Sequence, residues 1–96
     1  MVNTTLSLDM GISTKVFDDT LPNASKPYLI VKTSSGYELT NTRLSVTITL
    51  SEQTPRKIAG LTIPVTHVVL NFHGHDTIEI EEYMIRFKRY FHRGGG

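Results

Sequence analysis

The 96-residue sequence contains no cysteine and no tryptophan. Without thiols there is no disulfide, no thiolate nucleophile and no cysteine-ligated zinc, and the redox compartment is left open. No window approaches the ~20 apolar residues that a membrane-spanning helix requires. The N-terminus, Met1-Val2-Asn3-Thr4-Thr5, lacks the basic and apolar regions of a secretory leader, which implies a protein made and kept in the cytosol. The sequons at Asn3 and Asn23 would then carry no glycan. The seven glycines are scattered or terminal, so there is no phosphate-cradling loop, and no G-x-S-x-G elbow accompanies the many hydroxyls. Glu81 and Glu82 are adjacent on a predicted helix, where their side chains diverge, so they do not form a glycosidase pair. These absences imply no enzyme, no cofactor and no small-molecule substrate. Excess charge is missing too. A net charge of +1 argues against a generic polybasic nucleic-acid binder but leaves room for a localised basic face.

What is present is a folding composition, 39% hydrophobic and 20% charged, in a chain of one-domain length. A chain this short buries only about two thirds of the surface its unfolded form exposes, so a partner would help to stabilise it. The expected class is α+β: an N-terminal hairpin over residues 4–18, a sheet over 28–72, one helix over 77–92 packed on one face, and a glycine tail at 94–96. The prolines and turn formers of 18–27 read as a surface loop.

The clearest strand signal is Arg43-Leu44-Ser45-Val46-Thr47-Ile48-Thr49-Leu50, where alternation directs Leu44, Val46, Ile48 and Leu50 to a core. Ser51 to Pro55 reads as a turn, with 56–63 as the returning strand. Facing Leu44, Val46 and Ile48 with Ile63, Leu61 and Ala59 keeps the apolar side chains together. Residues 65–72 then form a last strand with Thr66, Val68, Leu70 and Phe72 on one side and His67, Val69, Asn71 and His73 on the other. Short connections throughout imply an antiparallel meander. Asp76 and Glu79 fit a capping pair at the start of the helix. The helix's apolar stripe, Ile80, Tyr83, Met84, Phe87, Tyr90 and Phe91 with Ile78 and Ile85 beside it, is wider than a one-sided helix needs. Ile78, Ile80, Met84, Ile85, Phe87 and Phe91 are therefore the expected dimer and assembly contacts.

His73 and His75, with Asp76, offer a metal reading, but the same residues suit a polar strand-to-helix loop, and no metal is expected. The serine and threonine face of the central strands is the candidate binding surface. Its hydroxyls donate and accept, and Arg43, Arg56 and Lys57 add cations.

The expected N-terminal hairpin, followed by the stretches 42–49, 56–62 and 68–72 leading into 77–91, resembles, in the order of its parts, the coat proteins of single-stranded RNA bacteriophages. The resemblance implies a capsid subunit that forms a homodimer, self-assembles into a shell and binds an RNA hairpin on the polar face of its sheet. It places the protein in the virion after synthesis in the host bacterial cytoplasm. By position, Ser45, Thr47, Thr49 and Thr62 would contact bases, and Arg43, Arg56 and Lys57 would contact phosphates. The chain is shorter than such coat proteins, nearly lacks their loop near Ile63-Pro64-Val65, and has one helical segment where they have two. A second possibility is a small non-capsid interaction module, such as a phage tail or connector component, or an inhibitor that acts by protein contact.

Overall fold

Alternation from Leu44 onward does make a strand, but one far longer than the turn formers at 51–55 suggest. A computed structural model describes residues 3 to 95. In chain order the elements are β1 (Asn3–Met10), α1 (Thr14–Ala24), β2 (Leu29–Lys32), β3 (Gly36–Asn41), β4 (Leu44–Ile58), β5 (Leu61–His73) and α2 (Thr77–Gly95). The strands form one antiparallel sheet in the order β1-β5-β4-β3-β2. The α+β class and an antiparallel meander are as expected from the sequence, but 56–63 and 65–72, expected as two strands, are divided differently: 56–58 ends β4 and 61–73 is one strand.

Residues 4–18 do not form a hairpin. β1 crosses the molecule to pair with β5, with Leu6 opposite Leu70, and Thr14–Ala24 is a helix. Ser13 caps that helix by accepting from the Val16 N–H at 3.2 Å. Phe17, Leu21 and Ala24, spaced i, i+4, i+7, are its fully buried stripe. Pro22 lies in the last turn, where its missing N–H takes one bond, that to the Asp18 carbonyl, out of the ladder.

The β4–β5 turn is also displaced from its expected place. β4 continues through Pro55 and turns at Ala59-Gly60, whose φ values of 51° and 83° match the left-handed pair that tight hairpins favour. Val46 therefore faces Phe72 and Ile48 faces Leu70, rather than Leu61 and Ala59. The prolines survive within the strands because the register shifts between Gln53 and Arg56. Thr54 and Pro55 oppose Pro64 alone, a bulge that removes both prolines from the ladder.

Both helices contribute to a core closed against Leu39, Val46, Ile48, Val68, Leu70 and Phe72. Phe17 stacks on Phe91 at 4.8 Å between ring centroids, and Phe91 lies 4.5 Å from Phe87. The Tyr37 hydroxyl donates to Asp18 Oδ1 at 2.9 Å, fastening α1 to β3. At the start of α2 the capping pair is reciprocal. Asp76 Oδ1 accepts from the Glu79 N–H at 2.8 Å, and Glu79 Oε1 accepts from the Asp76 N–H at 2.9 Å. The helix extends past His92 to Gly95, taking in two residues expected in the tail. A backbone ladder needs no side chain, although each glycine weakens it by about 1 kcal/mol relative to alanine. Gly96 lies outside the described residues.

Candidate interaction surfaces

With both helices on one side, the other side of the sheet is open. Register places its side chains in rows: Asn3, His73, Ser45, Thr40 and Leu29; then Thr5, Asn71, Thr47, Glu38 and Val31; then Ser7, Val69 and Thr49; then Asp9, His67 and Ser51. Ser45, Thr47 and Thr49 thus share one surface, as the alternation predicts. Cross-strand hydrogen bonds lace it together. The Thr5 hydroxyl donates to Asn71 Oδ1, His67 Nδ1 meets Asp9 Oδ1 at 2.7 Å, and His73 Nδ1 meets Asn3 Oδ1 at 3.2 Å. These rows contain two acids, Asp9 and Glu38, and no lysine or arginine.

The expected cations lie elsewhere. Arg43, in the β3–β4 turn, donates to the Gly74 carbonyl at 2.7 Å and to Glu79 Oε2 at 3.4 Å, so it clamps the turn to the start of α2. Arg56, Lys57 and Thr62 belong to the far end of the β4–β5 hairpin, and Lys57 is about 25 Å along the strand from Thr49. The seven residues expected to form one surface therefore divide into a sheet group, a clamp and a hairpin group.

That hairpin is the most distinctive surface of the molecule. β3 stops pairing with β4 at Thr49, and β1 stops pairing with β5 at Thr66. The ribbon continues for about 20 Å without a neighbouring strand, its root at Pro55, Pro64 and the buried Val65 lying beside Ser13 and Thr14 and its tip free, in a chain whose principal extents are 46 × 26 × 21 Å. Facing pairs Ile58–Leu61 and Arg56–Ile63 share one side of the ribbon, and Lys57–Thr62 has the other. Ile58 and Leu61 are 50% and 67% exposed. Such an arm adds apolar surface without burying it within its own subunit.

The residues expected to form a dimer contact are divided as well. Phe87, Phe91 and Met84 are buried in the subunit's own core, and Ile80 packs partly against it. The width of the stripe reflects α1, which the sequence reading omits and which covers the second side of α2. Ile78 and Ile85 remain exposed.

His73 and His75 separate across the sheet. His73 lies on the open face, while His75 is 3% exposed between Phe72 and Tyr28. Its Nε2 is 2.8 Å from the Tyr28 hydroxyl, and its Nδ1 has no hydrogen-bond partner. Burial lowers its pKa from the usual 6.5, opposed by the His73 backbone and the Glu79 carboxylate and reinforced by Arg43 and His73. Because the folded state disfavours the proton, the unfolded chain binds more of it below about pH 6.5, and stability falls as pH is lowered through that point. Thermal melts from pH 7.5 to 5 should show this loss, and His75→Phe should flatten the part due to this ring. An unchanged slope in the variant would remove His75 as its cause. Nearby, burial pushes the Tyr83 hydroxyl up to about 12, even though Ser25 lies within hydrogen-bond reach at 2.8 Å.

Two grooves flank the helices. One, about 320 Å³, is bounded by Lys26, Tyr28, Glu79, Glu82, Tyr83 and Arg86. In the other, about 430 Å³, Lys15 and Lys32 are already paired with Asp19 and Asp18. Among the described residues no helix is long and apolar enough to cross a membrane. Comparison of the chain with protein-family models, with curated proteins and with solved structures finds no match.

Proposed function

We propose that this chain is a non-enzymatic structural subunit that assembles with copies of itself, in the manner of a coat or connector protein. The observation that carries this reading is the β4–β5 arm. The rest of the chain closes its core without the arm, yet the arm holds Ile58 and Leu61 in solvent. An element that costs ordering entropy and solvates apolar groups is accounted for by contact outside its own subunit. Electron microscopy of the purified protein should show discrete multi-subunit particles, rings or tubes. A homogeneous monomer at high concentration would contradict the proposal.

A coat that also binds RNA is the second reading, favoured by the helix-free face bearing Ser45, Thr47 and Thr49 beside Asn71 and His73. Those groups can hydrogen-bond unpaired bases, while Arg56 and Lys57 would hold backbone at the arm. Such particles should absorb more at 260 nm than at 280 nm. Thr47→Ala combined with Thr49→Ala should weaken hairpin binding at least tenfold while particles still form. Unchanged binding would remove the face from that role.

A further inference from the structure

The arm's contact face has a specific composition. Ile58 and Leu61 oppose each other across the ribbon, Ile63 and Arg56 form the row behind them, and no acid is present in either row. Its two edges are poor templates for strand addition. Pro55 on one and Pro64 on the other each remove a backbone donor. A partner therefore meets the face of the arm rather than extending its ladder.

At the far edge of the sheet, β2 exposes Leu29 and Val31 by 73% and 62% on the open face. Register places Glu38 directly beside Val31 and Thr40 beside Leu29, while Ile30 and Leu39 point to the core side. Leu29 and Val31 are two residues apart on a strand, about 6.6 Å, close enough for the cross-strand pair Ile58 and Leu61, about 5 Å apart, to cover both. Apolar pair matches apolar pair, and Arg56 matches Glu38. The exposed isoleucines of α2 fit less well. Ile78 and Ile85 are seven residues apart, about 10 Å along the helix, too far for one cross-strand pair to cover both.

Resting on the proposal that the arm mediates self-assembly, we infer that the arm of one copy docks through Arg56, Ile58 and Leu61 onto Leu29, Val31 and Glu38 of a second copy. The acceptor is on the edge strand β2 and the arm extends from the inner strands β4 and β5 at the other end of the sheet, about 35 Å away along the strand direction. The contact joins two different patches, so it closes reciprocally into a two-fold dimer or propagates head to tail into a ring, filament or lattice.

The test uses two variants in the full chain, each changed only at exposed positions and checked for native circular dichroism. Ile58→Asp with Leu61→Asp disables the arm, and Leu29→Asp with Val31→Asp disables the acceptor. Each alone should sediment as a monomer. Their equimolar mixture should give a 1:1 dimer and nothing larger, because the intact arm of one meets the intact acceptor of the other. Arg56→Glu and Glu38→Arg should each weaken association at least tenfold, and their combination in one chain should restore it. If the arm variant is monomeric but the acceptor variant still assembles, the acceptor site is wrong and the arm's role stands. Assembly lost instead in Ile78→Asp with Ile85→Asp would also overturn the β2 site and move it to α2. If the arm variant assembles like wild type, or wild type is itself a monomer, both proposals fail.

Discussion

Gly36→Ala is expected to destabilise the protein by about 3 kcal/mol or more, lowering its melting temperature by roughly 12 °C or more. A Cβ built on Gly36 would overlap the Ile48 carbonyl oxygen and lie 3.1 Å from Thr49 Cα. These are backbone atoms of the neighbouring strand, so no rotamer change relieves the overlap and β3 must move away from β4. The turn beside it is closed by Thr33, whose hydroxyl accepts from the Gly36 N–H at 3.0 Å and whose own N–H donates to the Gly36 carbonyl at 2.8 Å. Glycine is needed here for close approach, not for the positive φ that its place after Ser34-Ser35 suggests. Denaturant titration would check this, and a shift below 1 kcal/mol would show that the two strands separate more easily than their packing implies.

Phe87→Ala should cost about 3–5 kcal/mol in the isolated subunit, independent of protein concentration. Phe87 is fully buried between Phe17, Tyr83 and Phe91, with ring centroids 4.5 to 6.1 Å away. Removing it leaves a cavity where the two helices meet, which packed neighbours refill only in part. If Phe87 instead belonged to an interface between copies, the loss of stability would be largest at high concentration and would shrink on dilution, as wild type itself dissociates. Unfolding curves of wild type and variant at two concentrations a hundredfold apart separate these outcomes, and the same gap between the two proteins is expected at both.

The two effects show where the sequence was readable and where it was not. Val46, Ile48, Val68, Leu70 and Phe72 are core residues, and Asp76 with Glu79 caps α2, because period-2 alternation and capping are local signals. The helix at 14–24 was concealed by Pro22 and by β-branched Thr14, Val16 and Thr20. Its signal was the Ser13 cap together with Phe17, Leu21 and Ala24 at helical spacing. Likeness to phage coat proteins rested partly on a hairpin in that position, where a helix stands. Pro55 similarly suggested a turn, because only the structure shows the bulge that accommodates it opposite Pro64. The open-face hydroxyls were legible from alternation. Arg43's role as a clamp was not, since it depends on a carbonyl and a carboxylate 31 and 36 residues away.

The proposal that the arm joins copies of this chain is tested most directly by sedimentation velocity over a concentration series, comparing wild type with Ile58→Asp, Leu61→Asp. Wild type should shift to larger species as concentration rises, and the variant should remain at 10.8 kDa with its melting temperature within a few degrees of wild type. Identical concentration dependence in the two proteins would contradict the account.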